Sequence, residues 1–485
     1  MAAYALTITY YYERNLTAVA ILTGYQLCGA GVAGVLIVPT ARVWGKRHLY
    51  ILGNILMIAS TAWAGASGHN YESLLWSRVI QGVALAPFEA LVNASVGDLY
   101  FVHERGKRMA FSNVALFGGS FLTPVVAGKI AATMSWQWTF YFVAIFAGAA
   151  LPLTFFLVPE TAFRRPDHLN TDFQGDDERS GAQPPLVDRN DSTNNPSMDY
   201  SEPPECEEKE ARSGSAERSR EQFNGAERVV PPRDSYLKTL RLFNGRKTDE
   251  NFFKLLLRPF PLFLHPGILW ACLIQGVLIG WTVFIGVVLA AIFMGPPLWF
   301  DSVKTGYLYT GAFIGSIVGL VLSGLLSDSI NKVMIKLNQG KYEPEFRLLL
   351  VFFQLLFAGT GLYGFGITAS DVGKWGWLIP DVFLMFVIIG MVMGAVASAL
   401  YIVDAHRQIA VEAFTCLLIF KNMFSFVLTF FAYEWLVKNG VKPAFLAIGS
   451  IQIVVCLLSV PMYIFGKRNR SFFARHDLLK MLHLW

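Results

Sequence analysis

The residues best suited to chemistry are polar side chains inside an apolar block at residues 74–96. Arg78, Gln81, Glu89 and Asn93 fall within about a third of a helix circumference, at about 100° per residue. A charge at the centre of a bilayer costs about 2.5–3.5 kcal/mol on insertion scales. Glu89 lies near the middle of the block, so it is expected to face a protein interior or wet cavity and to exchange a proton there.

Three further polar residues lie in other apolar blocks. Lys421 and Asn422 are near the middle of block 411–433, and Lys421 is expected either to pair with Glu89 or to bind an anionic group. Gln275, in block 267–293, lines a cavity or forms a hydrogen bond between helices. Glu412, near one end of its block, is expected at the membrane interface.

The elements that must position these residues are long apolar helices. Of the 485 residues, 54% are hydrophobic and 15% charged, against about 25% charged in soluble domains. The apolar residues form blocks of about 20 residues, enough to cross a membrane as a helix. The blocks are 16–38, 48–66, 74–96, 109–132, 138–158, 267–293, 305–326, 347–368, 378–400, 411–433 and 443–465. The sequence therefore predicts an all-α polytopic membrane protein with about eleven transmembrane helices.

Other classes of protein find little support in the sequence. The formal charge of +5 is spread over short loops, which argues against nucleic-acid binding, and the five cysteines form no C-x-x-C pair that would indicate a metal site. A G-x-x-x-x-G-K-[ST] loop, which an ATP-driven pump needs, is absent from the sequence. Because no Ser/His/Asp set stands at a block end, we expect neither an enzyme nor a cofactor.

The distribution of lysine and arginine predicts the orientation. Basic residues concentrate in alternate loops, such as 42–47, 105–108 and 332–347, which the positive-inside rule assigns to the cytoplasm. Residues 159–258 are rich in charged residues, Ser, Asn and Pro, so a disordered cytoplasmic loop is expected there. Residues 1–158 and 259–466 form the two helical bundles, and 467–485 a cytoplasmic tail.

Four segments of the chain resemble the major facilitator superfamily, specifically its fungal drug:proton antiporter group with twelve spans. They are SRVIQGVALAPFEALVNASVGDLYFVHERGKRMAFSNVALFGGSFLTPVVAG (77–128), LSDSINKVMIKLNQGKYEPEFRL (326–348), YIVDAHRQIAVEAFTCLLIFKNMFSF (401–426) and GKRNRSFFARHDLL (466–479). The resemblance implies two bundles related by a pseudo-two-fold axis, with five spans in 1–158 because the family's first helix has no counterpart. It also implies a monomer in the plasma membrane.

The family's motifs are only partly kept. The loop VPTARVWGKRH (38–48) retains Gly45, Lys46 and Arg47 but lacks the family's Asp, and TPVVAG (123–128) replaces two glycines of the antiporter motif G-P-x-x-G-G. The resemblance implies that Arg78 tunes a proton-accepting carboxylate, with Glu89 as the leading partner. The alternative is that Arg78 extends outward to the membrane surface while Glu89 forms a structural ion pair.

Charged residues in the predicted cytoplasmic loops could close an inner gate. By the same resemblance, Arg42, Lys46 and Arg47 in one half and Asp328 in the other lie in pseudo-equivalent loops that pair with helix ends. Further members of this network would be Asp98, Glu104 and Arg105. Ordinary surface charge is the alternative.

Small residues predict close helix packing. Gly311, Gly315 and Gly319 form a G-xxx-G-xxx-G ladder, and a similar role is expected for the antiporter-motif residues Gly118, Gly119, Pro124 and Gly128.

Taken together, these features predict a proton-coupled secondary transporter that exports small organic compounds. Its partners would be the substrate, protons and the lipid bilayer. Two alternatives remain at this level: an importer or uniporter of a small solute such as a polyamine, and a non-transporting remnant.

Overall fold

The computed structural model describes residues 2–99, 102–161, 241–243, 245–246, 248, 250–406, 409–476 and 478–484, except for the side chains of 2, 93, 94, 97, 98, 102–114, 474 and 478. Within these residues the structure is entirely helical, which confirms the predicted fold class. The predicted loop 159–258 falls mainly outside the described residues.

Every predicted apolar block is helical, although blocks 305–326, 347–368 and 443–465 are each divided between two consecutive helices. The α-helices are α1 (Ala5–Tyr12), α2 (Leu16–Trp44), α3 (Arg47–Gly65), α4 (Tyr71–Leu99), α5 (Val102–Thr133), α6 (Trp136–Leu157), α7 (Phe252–Leu257), α8 (Pro259–Leu262), α9 (Pro266–Phe293), α10 (Ser302–Tyr307), α11 (Thr310–Leu337), α12 (Leu350–Ala369), α13 (Val372–Trp375), α14 (Leu378–Ala405), α15 (Ala410–Asn439), α16 (Val441–Leu457), α17 (Ser459–Arg475) and α18 (Leu478–Met481). Short 3₁₀ helices occupy Ala2–Tyr4 and Pro344–Leu349.

Nine of the helices in the described part of the chain are long and apolar enough to cross a membrane. The predicted spans α3 and α4 are not among them. Polar residues lower the hydropathy of both helices: Arg47 and Asn54 lie in α3, and Arg78 and Glu89 in α4. Because α4 packs against both α2 and α3, its polar side chains can be satisfied within the bundle.

The helices form two halves that touch along two seams. In the first half α4 packs on α2 and α3, and α6 on α3 and α5; in the second half α14 packs on α11, α12 and α9, and α16 on α12. The seams join α2 to α15, and α5 to α10 and α11. Polar residues on α4 and α15 therefore lie beside the α2–α15 seam.

Glycines permit the closest helix contacts. A Cβ at Gly311 or Gly315 would lie 2.6 Å from the carbonyl oxygen of Asp381 or Met385, and one at Gly319 would lie 3.0 Å from Val392 Cβ. All three glycines thus face α14. At the α5–α10 seam, a Cβ at Gly128 would lie 2.5 Å from the Ser302 carbonyl oxygen.

The rest of the antiporter motif contributes unequally. A Cβ at Gly306 of α10 would lie 2.8 Å from the carbonyl oxygen of Pro124, so Pro124 takes part in the same seam. Gly118 is buried near Phe313 of α11. Gly119 corrects the prediction, since it is exposed and an added Cβ would meet no described heavy atom within 4 Å.

The boundary of the predicted disordered loop also needs correction at its C-terminal end. Residues 252–257 form α7, which packs on α2, and Asn251 caps this helix by accepting a hydrogen bond from the Phe253 N–H at 3.1 Å. Within this helix Leu255 is buried, whereas Phe253 and Leu257 remain exposed.

The glycine ladder gives a matched test. Gly315→Leu should destabilise the protein by about 1–3 kcal/mol, because the new side chain would overlap the α14 backbone. Gly324→Leu, on the same helix, should have little effect, because a Cβ there meets nothing within 4 Å among the described atoms. Thermal unfolding of the two variants in one detergent checks this, and equal melting temperatures would contradict the packing role.

Candidate transport site

Two predicted polar residues from opposite halves meet beside the α2–α15 seam. Lys421 Nζ of α15 lies 3.0 Å from Glu89 Oε2 of α4. Asn422 Nδ2 donates a hydrogen bond to the same carboxylate oxygen at 3.3 Å. Of the two expectations for Lys421, the structure places it on Glu89.

The Glu89–Lys421 pair is shielded but reachable. The side chains retain 13% and 20% of their full exposure, whereas Asn422 is buried. Both charged side chains are therefore largely, but not fully, enclosed by the surrounding helices. Such a site can exchange a proton or accept a polar group of a substrate in place of one member of the pair.

Arg78 occupies a separate polar site on α4. Its guanidinium donates hydrogen bonds to Gln81 Oε1, to Gln26 Oε1 of α2 and, through Nε, to the Leu22 carbonyl oxygen at 3.5 Å. The same group stacks over Phe140, with 5.8 Å between its central carbon and the ring centroid. Arg78 is buried, so it does not extend outward to the membrane surface.

This placement corrects the predicted partnership of Arg78 with Glu89. Eleven residues separate them on one helix, which corresponds to about 16 Å at 1.5 Å per residue. Among the described residues Arg78 has no carboxylate partner, and amide oxygens satisfy its donors instead. Gln26 was missed by the sequence reasoning, although it is the only amide side chain in α2.

The remaining predicted cavity residues divide into two cases. Gln275 Oε1 accepts a hydrogen bond from Ser398 Oγ at 3.2 Å, which joins α9 to α14. Gln275 thus forms a hydrogen bond between helices, which was one of its two predicted roles. The side chain of Asn93 lies outside the described residues.

An ion pair between the halves closes the predicted cytoplasmic end of the same seam. Arg42 of α2 pairs with Glu412 of α15, and Arg258 Nη1 lies 3.6 Å from the same Glu412 oxygen. Glu412 lies in the first turn of α15 and is only 4% exposed, so its carboxylate is buried between the two halves at this end of the helix. Two cations compensate one buried carboxylate here.

Lys46 and Arg47 are bound within their own half. The backbone N–H groups of Lys46 and Arg47 donate hydrogen bonds to the Glu160 carboxylate at 2.9 and 3.2 Å. The side-chain Nη2 of Arg47 donates to the Phe155 carbonyl oxygen at 2.7 Å. Both contacts hold the α2–α3 turn against the end of α6. This turn requires Gly45, which has a φ of 100°.

Asp328 does not join the Arg42–Glu412 pair. It is exposed and, within the described residues, forms no ion pair, so its gate role stays a prediction. The side chains of Asp98, Glu104 and Arg105 lie outside the described residues.

The EPEFRL run (343–348) forms ion pairs with two helices of the second half, α14 and α17. Arg347 Nε lies 2.9 Å from Asp404 Oδ2 at the end of α14, while Glu345 forms two 2.9 Å hydrogen bonds with Arg470 of α17. Glu343 pairs with Lys467 at 2.8 Å, and that contact lowers the pKa of the Glu343 carboxyl. Each of the three charged side chains Glu343, Glu345 and Arg347 therefore has a different partner.

Two histidines are packed together outside the spans, at the same end. The rings of His265 and His406 lie 4.5 Å apart, and His265 Nδ1 accepts a hydrogen bond from the Gly267 N–H at 3.2 Å. Burial lowers the pKa of His265 to about 4. Burial, together with His265 and Arg470, lowers the pKa of His406 to about 3. Both rings are therefore neutral in the folded protein near pH 7.

The fold and the ion pairs define an all-helical membrane protein with two halves that meet through buried charges. The model of the Major Facilitator Superfamily matches residues 1–410, and the chain therefore belongs to this family. Its family and fold are those of transporters, not of enzymes.

Similar proteins agree with that assignment. Protein HOL1 of Saccharomyces cerevisiae is 24% identical, over 93% of this chain and 80% of its own. The MFS transporter cpaT of Aspergillus oryzae is 23% identical, over 96% and 83%. In fold the chain is similar to the proton:xylose symporter XylE of E. coli, with a TM-score of 0.58 and 14% identity over 96% of this chain and 90% of XylE.

The two histidines predict a pH-dependent stability. Because their folded pKa values lie below the unfolded value of about 6.5, their stabilising effect is complete above pH 6.5 and declines as the pH falls below it. The melting temperature should therefore fall between pH 7.5 and 5.5. This fall should be smaller in a His265→Asn/His406→Gln double variant.

His476→Gln provides the control, because His476 is exposed. It should keep the full pH dependence of the melting temperature. An unchanged pH dependence in the double variant would show that other groups cause it.

Proposed function

We propose that the protein is a proton-coupled secondary transporter that exports small organic compounds across the plasma membrane by alternating access. The observation that carries this proposal is the contact of Glu89 with Lys421 and Asn422, which joins the two halves at mid-helix. Membership of the transporter family supports the alternating-access mechanism. The motif at 326–348 supports the drug:proton antiporter group, whereas the segment 123–128 keeps only part of that group's G-P-x-x-G-G motif.

The ion pair couples protonation to movement of the halves. Removing one partner from a buried ion pair costs about 3–5 kcal/mol, because the other charge is left uncompensated, and a partly wet pair costs less. Separation of α4 from α15 is thus disfavoured while Glu89 is ionised. Protonation of Glu89 removes its charge and frees Lys421 to move, or to meet an anionic substrate group.

The proposed inner gate lies at the end that carries the basic loops. Arg42 and Glu412 would pair when the protein is closed to the cytoplasm and separate when it opens. The positive-inside rule supports this orientation, with the 162–240 segment and the C-terminal segment on the cytoplasmic side. Arg78 would act as a fixed positive charge on α4 that orders Gln26 and Gln81.

The proton role of Glu89 can be tested directly. Comparison of metabolites in cells and medium, with the gene intact and deleted, first identifies an exported compound. In proteoliposomes, a pH gradient should accelerate transport of this compound by the unmodified protein tenfold or more. Glu89→Gln should abolish that acceleration. Exchange of labelled for unlabelled compound should continue, since exchange needs no net proton transfer.

Glu72→Gln is the matched control, because Glu72 is an exposed carboxylate on the same helix. It should transport like the unmodified protein. A gradient response that survives in Glu89→Gln, at normal protein abundance, would refute the proton role. Accumulation of the compound in the medium of the deletion strain would indicate import instead of export.

The ion pair itself predicts a non-additive effect on stability. Lys421→Met leaves Glu89 without its cation and should destabilise the protein by about 1–3 kcal/mol. The Lys421→Met/Glu89→Gln double variant should be more stable than the single variant, because no uncompensated charge remains. Melting temperatures at pH 7.5 check this, and strictly additive losses would show that the two groups do not interact.

A further inference from the structure

A short linker before α9 lies across the seam between the halves. Its helix α7 packs on α2 of the first half, where the rings of Phe252 and Trp44 lie 5.5 Å apart. Its helix α8 packs on α15 of the second half, where Cys416 Sγ donates to the Pro259 carbonyl oxygen at 3.0 Å. Residues 250–262 therefore contact both halves beside the Arg42–Glu412 pair.

Arg258 stands at the turn between α7 and α8 and is only 1% exposed. Its Nη2 and Nη1 lie 3.0 and 3.2 Å from the carboxylate oxygens of Glu250. Its Nε donates to the carbonyl oxygen of Leu484 at 2.9 Å. With Glu412 at 3.6 Å, one guanidinium thus joins the linker, the C-terminal segment and α15.

We infer that Arg258 is a positioning residue through which the linker 250–262 and the C-terminal segment 478–484 hold the Arg42–Glu412 gate closed. The inference rests on the proposed function in one respect, namely that this end of the seam opens during transport. It adds two segments, distant in sequence from the gate, that set how readily the gate opens.

The geometry explains how this positioning would act. Glu412 is shared by Arg42, which lies on the opposite half, and by Arg258, which lies on the linker. When the halves separate at this end, the linker must leave either α2 or α15, and the contacts of Arg258 must rearrange. The C-terminal segment opposes this change, because the buried Leu479 anchors it and Leu484 binds Arg258.

Substitutions outside the gate pair provide the test. Glu250→Gln weakens the contact of Arg258 with the linker, and Leu479→Asp releases the C-terminal segment. The matched controls are Glu343→Gln, which breaks an ion pair with Lys467 at the same end, and Leu482→Asp, at an exposed position of the C-terminal segment. None of these residues belongs to the proposed transport site.

The readout is the distance across the seam, measured by pulsed electron spin resonance between labels at the exposed positions Leu36 of α2 and Val411 of α15. Cys28 and Cys206 are replaced by serine, and the other three cysteines are buried. We expect Glu250→Gln and Leu479→Asp to raise the long-distance population at least threefold. The controls should stay within experimental error of the parent, and Arg258→Lys, which keeps the charge but not the fork of donors, should also raise it.

Each outcome decides the inference. Unchanged distances in Glu250→Gln and Arg258→Lys would overturn it, as would an equal increase in the controls. If Leu479→Asp fails to fold, the Glu250 and Arg258 variants decide alone. Arg42→Ala reports on the gate itself, so an absence of the long distance in that variant would refute both the gate and the inference.

The test also separates the inference from proton coupling. The distances are measured without substrate or pH gradient, so a proton-independent transporter would still show them. A pH-gradient response that survives in Glu89→Gln, together with the distance changes expected here, would refute the proton role of Glu89 and leave the inference about Arg258 standing.

Discussion

The need to compensate charge inside an apolar bundle determines most of what is specific about this protein. Glu89 and Lys421 lie on helices of different halves, 3.0 Å apart, and each would be costly to bury without the other. The halves must nevertheless move relative to each other in an alternating-access transporter. A pair that stabilises one arrangement therefore also resists the change, unless a proton or a substrate replaces one of its members.

The same requirement organises the end of the bundle that carries the basic loops. Arg42 and Glu412 join the halves, and Arg258 adds a second cation to the same carboxylate. Within each half, a charged helix end binds the loop between two helices: Glu160 accepts from the N–H groups of residues 46 and 47, whereas Arg470 binds Glu345. The two loops are thus held by helix-end groups of opposite charge, whereas the Arg42–Glu412 pair joins the two halves.

The contrast between Arg78 and Glu89 shows two ways of burying charge on one helix. Among the described residues, amide and carbonyl oxygens accept the hydrogen bonds of Arg78, and no carboxylate contacts it. Glu89 instead depends on a cation from the opposite half. A change in protonation therefore affects the packing of the halves at Glu89, whereas Arg78 stays ordered by its own half.

The sequence alone determined the helices, the membrane class, the family and the polar residues Glu89, Lys421 and Asn422. The reason is that the length of an apolar segment and the free-energy cost of placing a charge inside it can be judged from that segment alone. The sequence also indicated that Lys421 needs an anion. Only the tertiary structure decided that Arg78 binds Gln26 and Gln81, that Glu412 is buried with Arg42, and that Arg258 joins the linker to the C-terminal segment. These contacts depend on how helices distant in sequence approach one another, and the periodicity of a single helix carries no information about that distance.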